Sequence, residues 1–480
     1  MKKCVFVIVF ALLMPFCVSG CKGEKVCLNK YEIVATYDEQ THQLDCEQKM
    51  MYANGTGADL DRLELFLYAN SFEKIENNAS ISSRNRAYTN GESYGNITIK
   101  NVKSEKQECD FCLSQNHNIL TINLPNWLHK DKNISIEMSY VVTLANANHR
   151  LGYGENTINF GSFAPIFCVY ENGDFVHNQF TANGDPFYSE VSDYAVTINY
   201  PQKYKIASTG EIVRDDGGKA EIIAKKVRDF CFVLSDKFEV LTTNVGKTKI
   251  NYFFYDDQDA KMHLKTAERA IEFFGEQFGD YPYKTLCVVK TNFCFGGMEY
   301  PNLVMIADDV QKDVTFDYVI VHEIAHQWWY GLVGNNEFEE AWLDESLTEY
   351  SSALFFEKYV EYCLKYDEIV ENALQTYRQF KQVYVDVLGA VDERMDRTLS
   401  EFDTEPEYVN CVYTKGVLMY DNIREMIGKR AFLKCLRRYC KTYCFKNANR
   451  TSLVECFAKS VNKRIGGLFR AWLDGKVVVQ

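Results

Sequence analysis

Residues 321–331 read VHEIAHQWWYG, and this stretch constrains the chain more than any other. Two histidines and a glutamate interrupt an apolar run. Polar side chains buried on such a helix are costly unless something pairs with them. Four positions apart, His322 and His326 stack on one helix face, so both rings can aim a nitrogen at a common point. Glu323 lies about 100° around the axis, near that point but off its line. Two nitrogen donors with a carboxylate to one side suit a divalent ion and a water molecule beside it.

The hydrophobic period changes along the chain, and this sets the domain reading. Residues 63–68 (LELFLY), 134–140 (ISIEMSY), 194–198 (YAVTI) and 249–253 (KINYF) read as strands. Turn signals such as Asn54-Gly55, Asn90-Gly91 and Asn172-Gly173 separate strands of this kind. From residue 261 to 278 the spacing becomes helical. Strand-like residues 285–290 and 303–306 flank Gly296-Gly297, and from Asp317 onward helix follows helix. A chain of 480 residues exceeds one ordinary core. The fold expected is α+β and multidomain. An antiparallel, sandwich-like β domain occupies 21–245, and a mixed α/β-to-helical domain occupies 246–480.

H-E-x-x-H is the arrangement of zinc hydrolases. A catalytic zinc takes three protein ligands and keeps one position open. Glu345, nineteen positions beyond His326, is the candidate third ligand. The spacing predicts a helix from about 337 to 359 that packs on the first and brings this carboxylate to the two imidazoles. Glu323 is then the base that takes a proton from water.

These residues resemble the M1 zinc aminopeptidases. That family carries H-E-x-x-H, eighteen intervening residues and a glutamate, with Trp-Leu before it, here Trp342-Leu343. Asp344 and Ser346 stand where the family usually has asparagine and glycine. Residues 296–301, GGMEYP, are similar to the family's G-x-M-E-N box. Gly296 and Gly297 leave backbone open for a substrate strand, and Glu299 would hold the free α-amino group. Tyr413, in Tyr413-Thr414-Lys415-Gly416, matches the tyrosine that stabilises the tetrahedral intermediate. The likeness spans roughly residues 30 to 475, including GDPFYSEV at 184–191 and YPY at 281–283. It implies a thermolysin-like catalytic domain, one zinc ion per chain and removal of N-terminal residues from peptides. It resembles a bacterial, lipoprotein-like branch without the long C-terminal helical domain, so a more open cleft is expected. The glutamine or glutamate motif that many members' β domains add to amine binding is not found. The competing readings are a thermolysin-like endopeptidase and a non-catalytic surface-binding lipoprotein.

Residues 1–20 read as a secretory signal: Lys2 and Lys3, then an apolar run over 4–18. Val18-Ser19-Gly20-Cys21 resembles a lipobox, making Cys21 the expected lipid-bearing residue and the extracytoplasmic face of a bacterial membrane, or secretion, the expected location. The partners expected are peptides with a free N-terminus and, through the anchor, the membrane. A net charge of −13 without a dense basic cluster argues against nucleic acid. Of seventeen cysteines, Cys109 and Cys112 read as a local disulfide or two free thiols, and Cys440 and Cys444 as packing.

Overall fold

Strict alternation of buried and exposed residues along Lys30–Asp38 and Gln43–Ala53 makes each a strand with one face for a core and one for water. In the computed structural model, which describes residues 28–479, these two strands pair antiparallel. They lie inside an eight-stranded sheet whose order is 211–215, 219–227, 192–199, 30–38, 43–53, 133–143, 96–104 and 107–108. Its pairings are antiparallel except for Lys30–Asp38 beside Ser192–Asn199. Two four-stranded sheets cover its apolar face. Aromatic rings fill the layer between: Tyr31 stacks on Tyr194 at 4.7 Å, and its hydroxyl accepts from the Phe167 amide at 3.0 Å.

The second half is built on a five-stranded sheet, in the order 239–245, 248–254, 285–291, 303–307 and 297–298. The middle three strands are parallel, and Gly297–Met298 forms a short antiparallel edge. Helices Ala260–Phe278 and Val314–Ala325 join its core, followed by the helices Trp342–Lys358, Tyr366–Leu388, Lys415–Ile427, Lys429–Tyr443, Arg450–Ser460 and Ile465–Leu473. Strand Glu239–Val245 pairs with Thr248–Phe254. The change of sheet therefore falls just before residue 239, upstream of the expected 245. An alternating pattern shows that a strand exists but not which sheet receives it.

The halves share a wide interface. Arg228, fully buried, donates from Nε to the Tyr330 carbonyl at 2.6 Å and from its terminal nitrogens to Ser189 O at 2.8 Å and Lys446 O at 2.7 Å. A Cβ at position 334 would sit 2.1 Å from Arg228 Cζ, so only glycine fits there. Trp328, Trp329 and Tyr330 are buried packing residues. All thirteen cysteines among the described residues are free, Cys109 and Cys112 included. Among the described residues no helix is long and apolar enough to cross a membrane. The signal segment and Cys21 lie outside the described residues.

Candidate active site

Asp313 caps helix Val314–Ala325 by accepting from the Thr315 amide at 2.8 Å. His322 lies in its last turn. His326 is the C-cap but keeps helical dihedrals, so the four-residue stacking survives the end of the helix. The δ nitrogens of both rings are taken: His322 Nδ1 faces Glu349 Oε2 at 2.8 Å, and His326 Nδ1 donates to the Trp329 carbonyl at 2.9 Å. Both ε nitrogens turn toward one oxygen. Glu345 Oε2 is 3.1 Å from His326 Nε2 and 3.4 Å from His322 Nε2. One ligand atom from each of the three residues lies within 4.8 Å of the others. A carbonyl can only accept, so His326 Nδ1 carries the ring proton and Nε2 is free to ligate; a carboxylate orients His322 likewise. This donor set fits Zn2+.

Electrostatics agree. Burial alone would lower the His326 pKa, but the Glu345 carboxylate outweighs it, helped by Glu299, and pushes it up to about 10. His322 is raised well above its ordinary value against burial, by Glu345 and Glu349. Burial alone would raise Glu345, yet His326 and His322 hold it below the usual carboxylate range. The pocket favours positive charge beside Glu345.

The expected helix over 337–359 is two pieces, Glu337–Glu340 and Trp342–Lys358. Asn335 explains the break: its Nδ2 donates to the Glu340 carbonyl at 3.2 Å and to Asp344 Oδ1 at 3.0 Å, competing with the helical bond. Asp344 thus has a partner, although burial and then the Glu345 charge raise its pKa to about 7. Ser346 Oγ donates to Val412 O at 2.6 Å, beside the turn that carries Tyr413. Gly416 clears this contact, because a Cβ there would lie 2.5 Å from that of Ser346.

Glu323 is 4 % exposed, and its Oε2 has no hydrogen-bond partner among the described residues. Burial raises its pKa to about 7 against the pull of His322 and His326. Its other oxygen lies against the edge strand, 2.3 Å from where a Cβ at Gly297 would be. Glu299, 4 % exposed, also has an unpartnered oxygen, Oε1, and burial raises its pKa well above normal. The Glu299 loop is held from both sides. Gln327 Nε2 donates to the carbonyls of Glu299 at 3.4 Å and Tyr300 at 3.2 Å, and its Oε1 accepts from Asn302 N at 2.9 Å. The Tyr300 hydroxyl donates to Ser162 Oγ at 2.9 Å, which donates to Asp229 at 2.9 Å.

Tyr413 sits in a π-helical turn, Asn410–Thr414, a widening often found at functional sites. Its ring lies nearly parallel to that of His322 at 6.0 Å. Burial, then the Glu345 charge, lifts its pKa well above normal, so it keeps its proton and can donate. Gly296 and Gly297 line the same cleft of about 450 Å3 as Glu299, His322, Glu323, His326, Glu345 and Tyr413. Arg150 and Asp185, which pair with each other, line it too. Sequence reasoning gave neither a role. They come from separate loops, and only the GDPF stretch around Asp185 stood out, as a likeness and not as chemistry. Glu349, also missed, stands four positions after Glu345, a helical spacing that could have revealed it.

A family model described as Peptidase family M1 domain matches residues 262–472. The chain carries an M1 peptidase domain. The match contains every metal-ligand and base candidate named above, together with Glu299 and Tyr413. Probable aminopeptidase 2 of Sulfurisphaera tokodaii is 25% identical over 290 residues, covering 56% of this chain and 36% of that protein. Aminopeptidase N of Lactobacillus delbrueckii subsp. lactis is 27% identical over 241 residues, covering 46% and 27%. The chain therefore spans about a third of the length of such curated relatives. A crystal structure of an M1 zinc metallopeptidase from Deinococcus radiodurans, in a mutant form, superposes with a TM-score of 0.66 at 15% identity, covering 94% of this chain and 95% of that one. A related structure, bound to a Tyr-Ser-Ala substrate, scores 0.65. The M1 fold likeness thus includes the β-rich half as well as the matched domain.

Proposed function

We propose that this chain is a zinc-dependent aminopeptidase that removes residues from the free N-termini of peptides. The observation that carries the reading is Glu299: a buried carboxylate with an unpartnered oxygen, in the same cleft as the His322, His326 and Glu345 triad. An ammonium group is the complement such an oxygen lacks. A blocked N-terminus would leave the acid buried and unpaired, at about 3–5 kcal/mol by the measure of broken buried pairs. The named relatives are aminopeptidases, which favours this reading over an internal endopeptidase. Intact Glu323, Glu299 and Tyr413 weigh against a protein kept only for binding.

His322, His326 and Glu345 would hold the zinc ion, which supplies Lewis-acid polarisation of the scissile carbonyl and of the attacking water. Glu299 fixes the substrate amine and so sets the cleavage point one residue from the end. The edge strand at Gly297 offers backbone to the substrate chain. Glu323 takes the proton of the attacking water and returns it to the leaving amine. Tyr413 donates its hydroxyl proton in a hydrogen bond to the developing oxyanion.

A panel of aminoacyl-nitroanilides, with and without chelator and with Glu323→Gln, tests the proposal. Free-amine substrates should turn over, and both chelator and the substitution should abolish turnover. Internal cleavage of N-acetylated peptides would instead establish an endopeptidase.

We also propose export and lipid attachment at Cys21, placing the enzyme on the extracytoplasmic face of a bacterial membrane. The apolar run over 4–18 and the Val-Ser-Gly-Cys stretch support this. Detergent-phase partitioning of the expressed protein should be lost in Cys21→Ala; equal partitioning of the two would refute the anchor.

A further inference from the structure

Residues 80–86 of the N-terminal half are tied to the catalytic half at both ends. At one end, the hydroxyls of Ser80 and Ser82 both donate to Oε2 of Glu405. At the other, the Arg86 guanidinium grips Asp309 through two bonds, Nε to Oδ2 at 3.0 Å and a terminal nitrogen to Oδ1 at 2.8 Å. The two anchors belong to different walls. Glu405 opens the short helix Glu405–Val409, which runs directly into the turn bearing Tyr413. Asp309 follows strand Leu303–Ala307, the partner of the Gly297–Met298 edge. Ser82, Ser83 and Arg86 line the same cleft as Glu299, His322 and Tyr413. Ile81 faces away, 91 % exposed.

The segment has the internal order of a strap. Ser80 Oγ accepts from the Ser83 amide at 3.2 Å and lies 2.8 and 2.9 Å from the hydroxyls of Ser82 and Ser83. Behind it, the Asn148 amide donates to the Ala87 carbonyl at 2.8 Å, fastening the strap to its own half. We propose that residues 80–86 roof the cleft and restrict the enzyme to short peptides, with Glu405 as the specificity-determining latch. The proposal rests on the aminopeptidase reading and replaces the open cleft expected from sequence. The cleft that the strap borders, about 450 Å3, is on the scale of a site for a small ligand. An extended chain advances about 3.3 Å per residue, so the leaving portion of a long peptide soon meets the strap. The anchors are partly solvent-exposed ion and hydroxyl pairs at a rim, and such pairs are weak enough for one substitution to release.

The test compares kcat/KM for an aminoacyl-nitroanilide, a tripeptide and a long unstructured peptide sharing one N-terminal residue. It uses the wild type, Glu405→Ala and the double variant Ser80→Ala/Ser82→Ala, each checked for an unchanged melting temperature. The wild type should disfavour the long peptide. Either latch variant should raise the long-to-tripeptide ratio by about tenfold, equivalent to about 1.4 kcal/mol. A wild type that takes both peptides alike, or a ratio unmoved in both variants while the nitroanilide is still cleaved, overturns the strap. No turnover of any substrate by the wild type overturns the aminopeptidase reading and the strap with it, which distinguishes the two failures.

Discussion

Gly297→Ala should disable the base while sparing the metal site. The added Cβ would lie 2.3 Å from Oε1 of Glu323, 2.4 Å from its Cδ and 2.5 Å from its Cγ. Non-bonded contacts need about 3.5 Å, so the carboxylate must retreat by about 1 Å. A displacement of that size in a catalytic group is worth roughly a hundredfold in rate, or about 2.7 kcal/mol. Gly296→Ala is the internal control. Its Cβ would meet only Val319, at 3.9 Å, so any effect should fall on KM through the substrate strand and not on kcat. The assay is steady-state nitroanilide hydrolysis with metal content measured on the same samples. Both variants should bind one ion, since His322, His326 and Glu345 are untouched. A Gly297→Ala enzyme within about threefold of wild-type kcat, or an equal kcat loss in Gly296→Ala, would refute the placement of Glu323 against the edge strand.

Tyr413→Phe should lose about a hundredfold in kcat with little change in KM, the usual effect of removing one oxyanion donor; a drop confined to KM would reassign the hydroxyl to ground-state binding. Dialysis against a chelator should lower the melting temperature as well as abolish turnover, because an ion present at about 100 times its Kd adds about 2.7 kcal/mol; calorimetry before and after zinc is restored checks this. Asp257 accepts from the Tyr252 hydroxyl at 2.6 Å and faces His263 Nδ1 at 2.7 Å. Burial raises its pKa, but these bonds outweigh burial and hold it at about 2, against an ordinary 3.8. The unfolded chain therefore binds this proton first as pH falls, so the stabilisation is complete above about pH 4 and fades toward about pH 2. Urea melts should show Asp257→Asn less stable than wild type near neutrality and the gap closing in acid; a constant gap would contradict the linkage.

The convergence of His322, His326 and Glu345 was legible because each part has a local signature. Helical stacking of His322 and His326 is a matter of spacing, and Trp342-Leu343 shows where the next helix buries itself. The break at Ala341 was not legible, since it depends on where the Asn335 amide reaches in space. The sheet that receives residues 239–245 was hidden for a related reason: pairing is a long-range choice that alternation does not encode. Tyr413 could be placed by its Thr-Lys-Gly tail, but the π-turn around it could not. Arg150 and Asp185 lie 35 positions apart with no common period, so only the folded chain brings them together.

The bond from Tyr300 to Ser162, and on to Asp229, ties the loop of Glu299 to side chains from the opposite half of the polypeptide. Under the proposed aminopeptidase reading, the ruler that counts one residue from a peptide's end is thus calibrated by a scaffold that supplies none of the triad. A fragment beginning after that scaffold would retain the means to capture an ion, yet the gauge that tells a terminus from an interior bond would be left without its backing.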